Sequence, residues 1–459
     1  MDKKEMREMA KRRGKDMDMT EGVIWKQLLL FALPLMVGNI FQQFYNTVDS
    51  IVVGNFVGKE ALAAVGSVGP VINSLIGFFM GLATGAGVVI SQAYGAKRTE
   101  KVSRTVHTTL VLTFILCVIF SVVGILMTPW MLRLMSTPED VLAQSEEYLE
   151  IYFAGVSGLM VYNMGAGILR AVGDSKRPLY FLVFSACLNT VLDLVFVAGM
   201  DMGIAGAAWA TVIAQVASAI LVLLVLMRSN GSYQLKLREL RMEIPIIKEI
   251  VRIGFPAALQ QMITSFSNVF VQSYINGFGS SVMAGWSAYS KIDQFMMLPM
   301  QSVALATTTF TGQNFGAKKM GRIKKGTKSA LILAEIVTVT FMIPLMIFAS
   351  PLVQLFNKET EVLYYGTMFL RILSPFYMLC CINQIYASTL RGLGDTKAPM
   401  YIMLGSFVVF RQIYLFTVSH IFGTLLPVAF GYPAGWLMCS LIISFYYRYS
   451  WKKNYSGSV

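Results

Sequence analysis

The sequence has little charge and few of the residues that soluble catalytic sites use. Charged residues fill 14% of its 459 positions, and only two histidines, His107 and His420, are present. The two histidines lie near opposite ends of their predicted helices, so we expect neither a Ser-His-Asp triad nor a two-histidine metal site. No Walker motif is present either. These absences argue against an enzyme, including a membrane-embedded one, and against ATP hydrolysis by this chain. We expect no cofactor.

Cysteine is also scarce. The five cysteines all lie in apolar segments and lack the paired spacing of a metal site, so we expect them to be chemically inert: Cys117, Cys187, Cys380, Cys381 and Cys439.

Apolar residues dominate what is present. The chain is 55% hydrophobic, with a mean hydropathy of +0.60, which exceeds what a soluble core can bury. A bilayer needs about 20 apolar residues per helix, and the sequence predicts an all-α integral membrane protein with twelve such helices. Their predicted spans are 24–56, 61–93, 104–132, 144–169, 178–200, 204–227, 250–276, 282–312, 328–349, 361–388, 399–420 and 424–447.

The formal charge of +13 follows the predicted membrane topology. If the twelve predicted helices cross the membrane in alternating directions, 32 Lys and Arg residues lie on one side of it. The other side has Lys59, Arg133 and Lys358. The positive-inside rule then places both termini in the cytoplasm of a multi-pass cell-membrane protein. The basic excess therefore indicates topology, and we expect no nucleic-acid partner.

The chain repeats itself at an offset of 221 residues. Residues 169–178 return as 390–399 with the pattern Arg-x-x-Gly-Asp-x-Lys-x-Pro, and residues 92–98 return as 313–319. Six helices per copy is an even number, which predicts two lobes related by an axis along the membrane normal. The predicted segments are a basic N-terminal segment 1–22 without a cleaved signal peptide, an N-lobe 23–228, a linker 229–249, a C-lobe 250–448 and a tail 449–459.

Three local patterns have structural interpretations. Gly77, Gly81 and Gly85 put small residues on one helix face, which predicts close helix packing. The repeated Arg-x-x-Gly-Asp loop is expected to be a charged hairpin that fixes helix entry, with a direct role in gating as the alternative. The linker 229–249 is either an amphipathic surface segment or a solvated connection.

Acids inside lipid are costly and are candidates for function. Asp49, Asp193 and Thr211 all lie about 12–15 Å below the same predicted membrane face, at 1.5 Å per residue. Tyr45, Asn189 and Gln215 each lie four residues from one of them and so share its helix face, and Gln42 and Asn46 extend the polar stripe.

The second copy of the repeat shows whether these polar residues are needed to build the fold. The positions of Asp49, Asn189 and Asp193 hold Val271, Phe410 and Tyr414 in the second copy, so the polar groups are not needed to build a lobe. Two close buried carboxyls can take up and release a proton, and an all-oxygen set suits a hard monovalent cation. A structural hydrogen-bond cluster is the alternative.

The second copy has its own intramembrane charges. Mutual pairing would explain most of them, with Asp293 and Arg411 as one expected pair, and substrate or cation binding by Asp293 is the rival interpretation. The set is Lys291, Asp293, Glu335, Arg371 and Arg411.

Several of these motifs together resemble the multidrug and toxic compound extrusion (MATE) antiporters over nearly the whole chain. They are Pro34, Tyr45-Asn46-x-x-Asp49, Asn189-x-x-x-Asp193, residues 203–211, residues 291–295 and the paired Arg-x-x-Gly-Asp loops. The resemblance implies a V-shaped pair of lobes around a central cleft and alternating access.

It also implies a function. The expected activity is export of amphipathic, often cationic compounds in exchange for H⁺ or Na⁺, by a protein that we expect to be monomeric. In such proteins the residues matching Asp49, Asn189, Asp193 and Thr211 form the cation site, and the helix bends at the residue matching Pro34. The predicted seventh helix lacks the acid that sodium-coupled members tend to use. A lipid-linked oligosaccharide flippase of the same wider superfamily is the alternative, for which Lys291, Arg371 and Arg411 would hold diphosphate.

Overall fold

The computed structural model describes residues 17–135 and 137–455, and every regular element within those ranges is a helix. The α-helices, in chain order, are α1 Ile24–Val52, α2 Lys59–Gly95, α3 Thr99–Leu134, α4 Glu139–Ala154, α5 Val156–Ala171, α6 Lys176–Asp193, α7 Gly203–Arg228, α8 Ile244–Asn276, α9 Ser280–Gly316, α10 Met320–Ile347, α11 Ala349–Gln354, α12 Thr360–Leu373, α13 Tyr377–Gly392, α14 Lys397–Leu404, α15 Arg411–Ile421, α16 Leu425–Ala429 and α17 Gly431–Tyr455.

Wider π-helical turns follow three of these helices directly. Val53–Val57 continues α1, Leu194–Gly199 continues α6 and Gly405–Phe410 joins α14 to α15. A π turn inserts an extra residue into the helix and is frequent at functional sites. The first two π turns begin within four residues of the acids predicted to be functional.

The predicted spans correspond to helical segments of the structure. Nine stretches of the described chain are long and apolar enough to cross a membrane, and ten if α4 and α5, which bend by 47°, form one span. The two other predicted spans are α8 and α9, with 33 and 37 residues. Their length suffices, but polar residues such as Gln260 and Asp293 lower their hydropathy.

The internal repeat recurs in the backbone. Three pairs of residues in the left-handed region are separated by 221 positions: Gly58 and Gly279 at φ 114° and 102°, Lys97 and Lys318 at 55° and 58°, and Gly173 and Gly394 at 98° and 91°. Left-handed backbone is uncommon for lysine, so its recurrence at both copies of the 92–98 motif confirms that the two halves share one local structure.

The Arg-x-x-Gly-Asp loops are helix caps. Asp174 Oδ1 accepts hydrogen bonds from the backbone N–H groups of Lys176 and Arg177, both at 3.1 Å, and Asp395 Oδ1 accepts one from Ala398 at 3.3 Å. These bonds satisfy orphan donors in the first turns of α6 and α14. The loops therefore fix helix entry, as the sequence predicted.

The chain forms two compact units whose boundaries differ from the predicted lobes. Among described residues, unit 1 contains 17–18 and 37–258, and unit 2 contains 19–36 and 259–455. Both α1 and α8 change unit two residues after a proline inside the helix, Pro34 and Pro256. The first helix of each repeat thus places its N-terminal part in the unit formed mainly by the other repeat.

Glycines let α2 and the first part of α8 approach closely within unit 1. A Cβ at Gly81 would lie 2.3 Å from the Cα of Ala258, and one at Gly85 would lie 2.6 Å from the Cα of Gly254. Real Cβ atoms do not come that close to backbone atoms, so only glycine fits. The glycine stripe is a packing surface, as the sequence predicted.

This packing predicts the effect of adding one methyl group. Gly81→Ala forces α2 and α8 apart, and we expect it to destabilise the protein by about 1–3 kcal/mol, the usual cost of overpacking. The measurement is thermal unfolding of the purified protein in detergent.

Gly66→Ala is the matched control, because a Cβ at Gly66 meets no atom within 4 Å and alanine favours helix by up to about 1 kcal/mol. Equal unfolding temperatures for the two variants would contradict the packing argument.

Candidate functional site

The acids predicted to be functional lie together in unit 1. Asp49 is on α1, Asp193 is the last residue of α6, and both are buried, with 9% and 0% of their surface exposed. The two carboxyl groups are close enough to interact electrostatically. A hydrogen bond between them would require a bound proton, because two ionised carboxylates have no donor between them.

Three further predicted residues surround the pair. The amide Nδ2 of Asn189 donates a hydrogen bond to Thr211 Oγ1 at 3.4 Å, and both side chains are buried. The Tyr45 hydroxyl is close enough to both carboxyls for an electrostatic interaction. The structure therefore brings together residues from α1, α6 and α7, as their common depth predicted.

Several buried acceptors of the site have no hydrogen-bond partner in the described part of the chain. Five buried oxygen atoms have no hydrogen-bond partner among the described residues: Asp49 Oδ1, Asn189 Oδ1, Asp193 Oδ1 and Oδ2, and Gln215 Oε1. Leaving a buried acceptor unsatisfied costs about 1–3 kcal/mol, more when it is charged. A group of acceptors without donors is therefore suited to hold a proton, a water molecule or a cation.

The donor set limits which cation fits. It contains two carboxylates, amide oxygens and a hydroxyl, and the described residues contain no group of three or more His, Cys, Asp and Glu that could hold a metal ion. Hard oxygen ligands without sulfur or imidazole do not suit zinc or copper. A proton or a monovalent hard cation is the best match.

Two tyrosines that the sequence analysis did not identify also belong to the site. Tyr148 and Tyr152 on α4 are buried, with 4% and 2% exposed, and Tyr148 interacts electrostatically with both carboxyls. Tyr152 on α4 lies close to Gln215 on α7. Their i, i+4 spacing places both on one face of the helix, and this was the sequence pattern that could have identified them. Tyrosines at that spacing usually only pack against neighbouring helices.

The other predicted residues of α1 are less buried than Asp49. Pro34 is inside the helix, fifteen residues before Asp49. Gln42 is half-buried and Asn46 is exposed. The polar stripe is therefore partly on the surface of unit 1.

Unit 2 holds its acid differently. Asp293 on α9 accepts hydrogen bonds from two tyrosine hydroxyls, Tyr289 at 3.5 Å and Tyr377 on α13 at a short distance. Other aromatic rings lie nearby. The ring centroid of Trp286 is 4.9 Å from that of Tyr289 and 5.6 Å from that of Tyr432. The carboxylate is thus satisfied by donors within an aromatic cluster.

The expected pairing of Asp293 with Arg411 was wrong. Arg411 is 2% exposed, and its Nη2 donates to Ser267 Oγ at 2.8 Å and Asn268 Oδ1 at 2.9 Å. Its guanidinium lies 4.8 Å from the centre of the Tyr432 ring. Neutral oxygens and an aromatic face replace the carboxylate, because Asp293 already has its two tyrosine donors.

The broader expectation of mutual pairing also fails for the described residues. Their ion pairs lie at helix ends and in connections, and none contains an intramembrane charge. Lys291 is exposed with its Nζ 5.5 Å from the Phe356 ring centre, and the exposed Arg371 donates to Met346 O at 3.4 Å. Glu335 keeps a buried Oε2 without a partner among those residues.

The arrangement around Asp293 predicts a difference between two tyrosines. Tyr377→Phe removes a donor from a buried carboxylate, and we expect it to lower stability by about 1.5–3 kcal/mol, the value for a hydrogen bond to a charged group. Thermal or denaturant unfolding in detergent measures this loss.

Tyr364→Phe is the control, because Tyr364 is 65% exposed on the neighbouring helix α12 and its ring contact with Tyr365 survives the change. A Tyr377→Phe variant as stable as Tyr364→Phe would show that the hydroxyl does not support Asp293.

Comparison with known proteins agrees with this geometry. The MatE family model matches residues 34–195 and 256–417, which are the two copies of the repeat. The chain is 32% identical to the probable multidrug resistance protein YoeA of Bacillus subtilis, over 94% of this chain and 95% of that protein. It is 22% identical to the multidrug export protein MepA of Staphylococcus aureus, over 87% of this chain and 88% of that protein.

A solved structure has the same fold. An outward-facing multidrug resistance MATE family transporter of the MOP superfamily superimposes with a TM-score of 0.89 at 25% identity, covering 95% of this chain and 97% of the other.

Proposed function

The chain belongs to the MatE family of multidrug efflux transporters, and we propose that it drives export by exchanging a proton or a sodium ion at Asp49 and Asp193. The observation that carries this proposal is the group of five buried oxygens without donors around the two carboxyls. A purely structural polar cluster would satisfy its own acceptors.

Exchange at this site follows from electrostatics. With both carboxylates charged and buried, each pays a desolvation penalty of several kcal/mol and the two repel each other. A bound proton or sodium ion relieves both costs. When the cation leaves, the pair is again destabilised, so the occupancy of the site can change the relative stability of two conformations of the transporter.

Unit 2 has chemistry suited to an organic cation. Asp293 carries the charge, and the rings of Trp286, Tyr289 and Tyr432 supply faces that attract cationic and apolar groups. We assign amphipathic cations as the substrate class on this basis. The acids of the unit 1 site disfavour the alternative cargo, a lipid-linked diphosphate, because like charges repel.

The orientation of the chain follows from its basic connections. The excess of Lys and Arg on one side of the predicted topology supports cytoplasmic termini. We infer that Pro34 supplies flexibility to α1, since proline removes a hydrogen bond inside the helix. Asp49 lies farther along the same helix.

The test is transport in proteoliposomes with pH and sodium gradients imposed separately. Asp49→Asn and Asp193→Asn each remove a titratable, charged oxygen while keeping the side-chain volume. We expect either variant to lose gradient-driven export of a fluorescent organic cation by tenfold or more, equivalent to about 1.4 kcal/mol. The gradient that drives the wild type identifies the coupling ion.

Asp201→Asn is the matched control. Asp201 is an exposed acid of the same unit at φ 51°, a conformation that asparagine adopts readily. Its export should equal that of the wild type. Gradient-driven export retained by both site variants would overturn the assignment of the acids, and export driven by neither gradient would overturn the antiport itself.

A further inference from the structure

The connection between α7 and α8 is held firmly on unit 1 at both ends. Near its start, Tyr233 and Leu235 are 3% and 4% exposed and pack against the core around Val102. Near its end, Ile246 and Ile250 are buried in a cluster with the C-terminal part of α2. Residues 236–245, between these anchors, therefore have a fixed position.

A buried histidine fixes the start of this segment. The backbone N–H of Lys236 donates to His107 Nε2 at 3.1 Å, and His107 Nδ1 is 2.7 Å from the carbonyl oxygen of Ser103. His107 is 1% exposed. The segment is thus attached to α3 by its backbone, which leaves its side chains available to face outward.

Those side chains are largely apolar and exposed. Leu237 is 60% exposed, Leu240 37%, Met242 49% and Ile244 52%. Four exposed apolar residues thus lie within eight positions, a density that soluble surfaces avoid. We call residues 237–248 the linker strip.

The acidic residues of the strip and its flanks are neutralised by neighbouring bases. Glu243 accepts hydrogen bonds from Arg104 and pairs with Arg241 at 2.9 Å, while Glu249 pairs with Lys101 at 3.0 Å. The hydrogen bonds from Arg104 hold the pKa of Glu243 below its usual value, so this carboxylate stays ionised and paired. These acids are therefore not available to repel an anion.

Basic residues of the strip remain without acidic partners. Arg238 and Lys248 are exposed and form no ion pair with the described part of the chain. Glu239 pairs with Lys236 at 2.8 Å instead. The outward face of the strip therefore combines apolar side chains with unneutralised positive charge, the combination found in segments that lie in the interface of anionic membranes.

The covalent position of the strip identifies its partner. It begins in the connection between α7, which ends at Arg228, and α8, which starts at Ile244, and it continues into the first residues of α8. It therefore cannot move far from the bilayer surface at which those helices end. We propose that the linker strip is a lipid-binding surface that inserts its apolar side chains among headgroups and binds anionic phospholipid through Arg238 and Lys248.

Depth measurements test the insertion. In a Cys187→Ser background, where the four remaining native cysteines are buried, the change Leu237→Cys provides one site for an environment-sensitive fluorophore. The full-length protein is reconstituted into vesicles of phosphatidylglycerol and phosphatidylethanolamine that carry brominated acyl chains. We expect a blue-shifted emission and strong quenching at this position.

Asn230→Cys is the matched position, since Asn230 is exposed in the same connection and lies outside the strip. Its label should remain water-like. Equal quenching of the two labels would overturn the proposal, because a solvated strip would not distinguish position 237 from position 230.

A second measurement tests the charge. Arg238→Gln combined with Lys248→Gln should weaken the preference for spin-labelled phosphatidylglycerol over phosphatidylcholine, by about fivefold per basic residue at low salt. Lys358→Gln, an exposed lysine in unit 2, should leave the preference unchanged. An unchanged ratio in the double variant would overturn the anionic specificity, and neither measurement depends on transport.

Discussion

Two carboxyl groups buried against each other are the constraint on which the function of this protein depends. Asp49 and Asp193 are held together by α1 and α6, with no donor from the described residues directed at the Asp193 oxygens. Burying one ion costs several kcal/mol, and a second ion of like sign adds to that cost. The helices of unit 1 therefore maintain a site whose free energy falls when a proton or a cation binds, and this dependence is what a coupling site requires.

The two units use one scaffold for unequal chemistry. The left-handed turns at Lys97 and Lys318 and the capping aspartates recur in both copies, so the backbone plan is shared. The buried charges are not shared. In unit 1 the acids lack donors, whereas in unit 2 the acid Asp293 accepts hydrogen bonds from tyrosines and the base Arg411 donates through Nη2 to neutral oxygens. Duplication thus preserved the residues that build the lobe and left the intramembrane charges free to diverge.

The helix connections do more than join spans. Aspartates cap α6 and α14, glycines admit the close contact of α2 with α8, and the segment after α7 is tied to His107 on α3. Each of these features fixes the position of a helix or a connection relative to its neighbours. Because the site in unit 1 is assembled from residues on α1, α4, α6 and α7, the geometry of its carboxyls depends on such attachments as much as on the side chains themselves.

The sequence by itself determined the helices and the repeat, and it predicted one common depth for the polar residues. Apolar runs of membrane length, the 221-residue offset and a rise of 1.5 Å per residue are local properties, and they predicted that Asp49, Asp193 and Thr211 share one level. It could not determine which faces of those helices meet. Only the tertiary structure revealed Tyr148 and Tyr152 in the site, the separate partners of Asp293 and Arg411, and the change of unit within α1 and α8. Rotation and contact between helices follow from packing among residues far apart in the chain, which no local pattern encodes.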